Sequence, residues 1–335
     1  MKNSRWVIFL VVLWALLTVP LLALGQSDAL PESPVGRCVN LGNTLEAANE
    51  GEWGLTAEPA FFEAMADIGF DTVRLPVRWS AHMMEEPPYT LDEAFFDRVD
   101  EVIGWAFENE LKVILTNFHY YAMNDAPDET EPGLIALWEQ VAAHYADSPA
   151  ELIFELLNMP TDELTPERWN EMLPGLVATI RETNPERQII VGGGLQNSIE
   201  GLLMLDLPED DNLIAAFIYF EPRTFTFQGA QWIDGMDEHV GTTWGTPDEV
   251  SELSSQFEQA ADWGEQTGVP LMLAEFGSYS LADMESRILW TQTARENAEL
   301  HGMGWCYWEF AAGFGIYNPA NGEVNALAEA LIPTD

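Results

Sequence analysis

The chain has 335 residues, with 56 acidic side chains against 13 basic ones and a formal charge of −43; 47% of the residues are apolar and 11% aromatic, with 13 Trp. That apolar content can bury a core, which excludes a disordered acidic polymer. Lys2 and Lys112 are its only lysines, so phosphate neutralisation is out of reach: no nucleic acid is expected as a partner, and an anionic membrane surface would repel the chain. The acidity reads as a solvated, salt-tolerant surface, and a monomer is expected.

In chain order, residues 1–25 come first as a processing segment. Lys2 and Arg5 precede an apolar run from Trp6 to Leu24, which closes on Ala23-Leu24-Gly25, a small-x-small pattern suited to signal peptidase. Cleavage there would make Gln26 the first residue and leave 26–335 as one domain. Left uncut, the same run is just long enough to anchor the chain in a bilayer. Either way the body lies outside the cytoplasm, secreted or anchored. No Cys follows the run, so lipidation is not expected. Cys38 and Cys306 cannot form a disulfide framework or a four-ligand zinc site, and a single bridge between them is left open.

After residue 35, short apolar runs recur at Cys38–Leu41, Thr72–Leu75, Val113–Thr116, Leu152–Leu157, Gln188–Val191, Leu213–Tyr219, Pro270–Ala274 and Gly304–Trp308. Most do not alternate with polar residues, as expected of parallel strands covered on both faces. Between them, helical spacing runs over Ala57–Ile68, Leu91–Glu108, Leu134–Tyr145, Pro166–Thr183, Pro247–Gly264 and Ala282–His301. Thr56 before Glu58 and Pro59, and Thr246 before Pro247, Asp248 and Glu249, read as helix caps. Eight strands mostly followed by helices predict the α/β class and a single (β/α)8 TIM barrel. An open doubly wound sheet would want a Gly-rich turn after the first strand, and Asn40-Leu-Gly-Asn-Thr44 is not one.

In such a barrel the working residues stand at the carboxyl ends of strands. Those ends offer Asn43, Arg74, His119, Asn158, Tyr219, Glu275 and Trp308. Glu275 closes an apolar strand, where a lone carboxylate is costly unless paired. Arg74 is its plausible partner and would keep it ionised, as a nucleophile requires. The same pair, without any chemistry, could simply fix the barrel register. Trp308 could offer a pyranose ring an apolar face, or merely fill the barrel mouth.

Together these segments resemble glycoside hydrolase family 5, the cellulase-type (β/α)8 glycosidases, over nearly all of residues 36–332. The resemblance rests on Val39–Glu46 (VNLGNTLE), Ile68–Trp79 (IGFDTVRLPVRW), Phe118-His-Tyr120, Phe154–Asn158 (FELLN), Glu221-Pro with Phe225-Thr, Ala274–Gly277 (AEFG) and Tyr307–Gly315 (YWEFAAGFG), seven segments in order. It implies a retaining β-glycosidase acting on β-linked glycans, with two carboxyls about 5–5.5 Å apart, one nucleophile and one acid/base. By resemblance Glu275 matches the nucleophile, Arg74 the supporting arginine, His119 and Asn158 substrate-site positions, and Trp308 the sugar-stacking residue. Asn43, Tyr219 and Phe220 fall at strand ends beside them. Trp53, Trp79, Tyr120, Tyr121 and Trp232 are candidates for lining a glycan groove.

The chain also departs from the family pattern. Where the fourth strand should end in Asn-Glu-Pro, with Glu as acid/base, it reads Asn158-Met159-Pro160. A thioether has no proton to transfer. Ile218 and Phe220 replace a His and a Tyr after the sixth strand, and Phe227 stands where a His is usual. Losing general acid–base catalysis costs roughly 10²–10⁴-fold. Glu155 lies four residues before Met159, about 13 Å along a strand and lower in the barrel, whereas Asp162 and Glu163 on the following loop could stand in as a relocated acid. No zinc motif, phosphate loop or serine-hydrolase elbow is present, so no cofactor or metal is expected. Three readings follow: a glycan-binding protein with hydrolysis lost or severely weakened, a retaining hydrolase using Asp162 or Glu163, or a non-catalytic envelope scaffold.

Overall fold

Eight of the apolar runs become parallel strands, and these close on themselves. In the computed structural model, which describes residues 30–333, they are β1 (Arg37–Asn40), β2 (Thr72–Val77), β3 (Lys112–Asn117), β4 (Leu152–Glu155), β5 (Ile189–Gly192), β6 (Leu213–Tyr219), β7 (Leu271–Phe276) and β8 (Gly304–Tyr307). They pair in sequence order into a closed barrel, with β8 returning to β1. Parallel neighbours need crossovers, supplied chiefly by the helices Pro59–Ile68, Glu93–Glu108, Pro127–His144, Pro166–Arg181, Pro247–Thr267 and Met284–Leu300. The chain is therefore an α/β protein with the (β/α)8 TIM-barrel fold. The leader expected over residues 1–25 lies outside the described residues.

Apolar residues on both faces of each strand give two separate buried layers. Inside the barrel Cys38, Ile114, Ile153, Ile190, Ile214, Met272 and Cys306 pack on one another. Their neighbours in sequence, Val39, Val113, Leu152, Ile189, Leu213, Leu271 and Trp305, face outward into the larger layer beneath the helices. At the seam Cys38 and Cys306 are register partners, 4.1 Å apart at Cα, and a disulfide joins them. The bridge that the spacing left open is thus formed, linking the first strand to the last.

Two helix starts differ from expectation. Glu58, not Thr56, caps Pro59–Ile68, and its side chain makes no cap bond. The helix expected from Leu134 begins at Pro127, with Pro at its start, Asp128 and Glu129 in its first turn and Pro132 inside it. A first turn tolerates Pro127 because its N–H groups have no helical partner; Pro132 lies in the second turn, where a proline removes one helical hydrogen bond, and with Gly133 it disguised a helix start that does form. Thr246 behaves as expected, completing a capping box with Glu249.

Candidate active site

The cleft floor is built around Glu275 and Arg74. Along β7 Ala274 faces the barrel interior, and strict alternation would turn the next residue outward. A bulge intervenes: Phe217 pairs with Leu273 but Ile218 pairs with Glu275, so one residue of β7 is skipped. That extra residue re-aims Glu275 into the barrel mouth. Asn40 secures the irregular backbone by donating from Nδ2 to the carbonyls of Ala274 (3.1 Å), Cys306 (3.3 Å) and Tyr307 (3.2 Å).

Arg74 spends its whole guanidinium here. Its Nε and Nη2 each donate to Glu155 at 2.6 Å in a two-point clasp. Nη1 donates to Glu275 Oε1 (2.7 Å) and Asn40 Oδ1 (2.8 Å), and Nη2 also reaches Asn158 Oδ1 (3.0 Å). The Arg74–Glu275 pairing expected from sequence is present, but Glu155 shares that arginine and takes the larger part of it. Thr116 Oγ1 donates to Glu155 as well (2.8 Å). Arg74 and Glu155 are fully buried and Glu275 is 4% exposed. Burial pushes the Glu275 carboxyl up, Arg74 pulls it down, the Glu155 charge pushes it up again, and a hydrogen bond from Asn158 lowers it; the net direction is upward. Physically, one cation is divided between two buried anions.

Above this floor opens a cleft of about 1740 Å³, larger than the few hundred to one thousand Å³ typical of small-ligand pockets. It suits an extended ligand. On the side of β1, β3 and β8 stand Asn43, Glu46, His119 and Trp308. Trp308 stacks parallel to Phe118 with centroids 5.8 Å apart. It also lies so close over Gly42 that a Cβ there would sit 3.0 Å from the ring, so any larger residue would have to displace the indole. His119 holds a left-handed φ of 53°, with Nδ1 3.3 Å from the Glu46 carbonyl. Burial lowers its pKa to about 4, so it is neutral at ordinary pH. Across the cleft, on the side of β4 and β6, stand Met159, Ile218, Phe220 and Phe227.

The residues singled out from sequence divide accordingly. Asn43, His119, Met159, Phe220, Trp232, Glu275 and Trp308 line the cleft, as do Trp53 and Tyr121. Asn158 does not: it is buried below the floor and acts on Glu275 and Arg74. Tyr120 also falls outside the cleft. The left-handed turn at His119 sends it into the core under the helix Pro127–His144, where its hydroxyl abuts Gly133. Tyr219 also borders the cleft, although its ring is buried behind it. Alternation along β6 points Ile218 in and Tyr219 out, and the Tyr219 ring packs on Phe257 (5.1 Å) and Trp290 (6.1 Å). Trp79 is buried against Phe95 and Phe96. Asp162 and Glu163, expected as stand-in acids, are exposed to solvent and are not among the residues lining the cleft.

Two carboxyls that sequence reading passed over are buried beside the Trp308 loop. Glu46 accepts from the backbone N–H groups of Asn43 and Thr44. Glu309 accepts from those of Ala311, Ala312 and Phe314. Burial pushes each pKa up to about 7, against the pull of those N–H groups. The available signal was an acid inside an apolar stretch at a strand end, in LGNTLEAA and YWEFAAG.

Residues 38–311 match the family described as Cellulase (glycosyl hydrolase family 5). The chain belongs to glycoside hydrolase family 5. Endoglucanase H of Acetivibrio thermocellus is 32% identical over 275 residues, covering 82% of this chain and 29% of that relative. The chain thus spans under a third of that curated relative's length. Endoglucanase Cel5A from the hyperthermophilic Thermotoga maritima superposes with a TM-score of 0.87 at 40% identity, over 89% of this chain and 97% of its own. Structures of that protein contain cellobiose or mannotriose. Cellulose synthase subunit Z of Clostridioides difficile gives a TM-score of 0.87 at 35% identity, covering 89% of this chain and 99% of its own. Family membership accounts for the barrel.

Proposed function

We propose that this family 5 chain binds a β-linked glucan or mannan in its cleft, and that hydrolysis of the glycosidic bond is lost or severely weakened. The observation that carries the reading is the side chain of Met159 in the cleft wall, together with Glu275 on the floor. In retaining hydrolysis a Glu275 oxygen bonds to the anomeric carbon while the bond to the leaving oxygen breaks, and that oxygen must take a proton. Met159 has none to give. Trp308, His119 and Asn43 remain to hold a sugar over Glu275, with Arg74 and Asn158 as positioning residues beneath it.

The other acids of the cleft do not suit the task. Glu200, Glu221 and Glu252 are solvent-exposed at its outer end, and Glu46 is committed to the backbone of its own loop. The leader-like segment 1–25 supports action outside the cytoplasm. The test is calorimetric titration with cellohexaose and mannohexaose beside a reducing-end assay on the same solutions. Saturable binding without release of reducing ends is expected. Ordinary turnover would refute the loss of hydrolysis, and absence of binding would refute the glycan reading and favour a scaffold.

A further inference from the structure

The cleft is polar on one side and apolar on the other. Around Trp308 it presents Asn43, Glu46 and His119; facing them are Met159, Ile218, Phe220 and Phe227, closed off by Phe314. The three phenylalanines interlock, with centroids 4.9 Å (Phe220–Phe227), 5.5 Å (Phe227–Phe314) and 6.2 Å (Phe220–Phe314) apart and ring planes inclined by 47–73°. Their backbones are pinned. The Phe220 carbonyl accepts from Thr226 Oγ1 (2.5 Å), and the Phe314 carbonyl accepts from the Tyr307 hydroxyl (2.9 Å) and Arg287 Nη2 (3.0 Å). The result is a preformed corner rather than a flat platform.

A second sugar would sit badly there. Its edge carries hydroxyls all round, each needing a partner once taken from water. The corner offers only hydrocarbon and one thioether, a weak acceptor. The polar side chains beside it are Glu221 and Arg223, both exposed, with the Arg223 guanidinium 4.8 Å over Phe227, and Tyr279, whose ring lies 5.5 Å from that of Phe314. A flat apolar group loses nothing in the same place and gains edge-to-face contacts.

The geometry points to a glycoside with an aromatic aglycone as the ligand, its sugar over Glu275 and Trp308 and its aglycone in the Phe220–Phe227–Phe314 corner. This deepens the glycan-binding reading and rests on it. It also fits the missing proton donor. When Glu275 forms the glycosyl ester, the electrons of the broken carbon–oxygen bond leave on a phenolate, which is stable enough to depart and take its proton from bulk water. Water then opens the ester, releasing the sugar and returning the Glu275 carboxylate with loss of a proton.

The test is titration of the native chain with phenyl 1-thio-β-cellobioside, methyl 1-thio-β-cellobioside and cellotriose, the sulfur linkage preventing turnover of the first two. The phenyl compound is expected to bind about ten-fold tighter than the methyl one, as burial of one ring predicts. Phe227→Ala, and Phe220→Tyr as a near-isosteric change that adds a hydroxyl to the corner, should each reduce that ratio in protein whose circular dichroism is native. A ratio near one, a ratio unmoved by both substitutions, or cellotriose binding tighter than the phenyl compound would overturn the inference and leave the glycan reading intact. No binding by any of the three would overturn both.

Discussion

Replacing Arg74 with Met keeps most of the side chain's volume and removes the guanidinium. Five hydrogen bonds go with it, and Glu155 and Glu275 remain buried with no cation between them. Breaking a buried ion pair from one side costs about 3–5 kcal/mol, because the partner is left as an uncompensated charge. Here two partners are left, so at pH 8 the loss should reach or exceed the top of that range. The chain can escape by protonating the carboxyls, each unit of upward pKa shift being about 1.4 kcal/mol. A folded-state pKa raised above the unfolded value gives stability that is fully present below the unfolded pKa and lost as pH rises through the folded one. The deficit of Arg74→Met relative to the native chain should therefore widen by about 2 kcal/mol or more between pH 5 and pH 8. Urea unfolding at the two pH values, with unchanged m-values, measures it. A deficit under about 1 kcal/mol, or one equal at both pH values, would refute the idea that Arg74 neutralises a buried carboxylate pair.

Other consequences are equally direct. Glu46 and Glu309, each with a pKa pushed up to about 7, should make the native chain lose stability as pH rises from 5 to 8, by about 3 kcal/mol per group at most; thermal unfolding of Glu309→Gln should show a flatter pH dependence. Because a disulfide spanning 268 residues removes chain entropy from the unfolded state, the paired substitution Cys38→Ala and Cys306→Ala should cost roughly 4–5 kcal/mol in denaturant unfolding. Any glycosyl transfer that uses Glu275 needs its carboxylate, so the rate of glycosyl-enzyme formation should climb with pH through the raised pKa of that group, seen in burst kinetics and absent in Glu275→Gln. Met159→Glu should restore measurable release of reducing ends from cello-oligosaccharides, short of a full recovery of the about 10²–10⁴-fold attributable to general acid catalysis, because Ile218 and Phe220 remain in the wall.

The barrel was legible because fully buried parallel strands read as unbroken apolar runs. That same property hid which face each residue takes. With no polar alternation to follow, Tyr219, which does border the cleft, gave no sign that the pleat packs its ring on Phe257 and Trp290. Glu275 was found by its chemistry, a carboxylate closing an apolar strand, but the bulge that aims it inward leaves no mark in the sequence. Arg74 was recognised as its partner, while Glu155 was set aside as too low in the barrel to act, which concealed that it holds most of the guanidinium. Glu46 and Glu309 escaped notice because loop acids are ordinarily solvated, and only the folded loops supply the N–H groups that let them be buried.

If nothing in this cleft protonates a departing glycosidic oxygen, the rate must depend steeply on the acidity of the leaving group. A series of aryl β-cellobiosides with phenols of graded acidity should give Glu275-dependent bursts that fall steeply as the phenol weakens and vanish for cello-oligosaccharides. Met159→Glu should flatten that slope. A shallow slope in the native chain, with oligosaccharides cleaved at rates near those of the best aryl substrates, would mean a proton donor is present and would contradict the account, with Glu46 the first residue to replace.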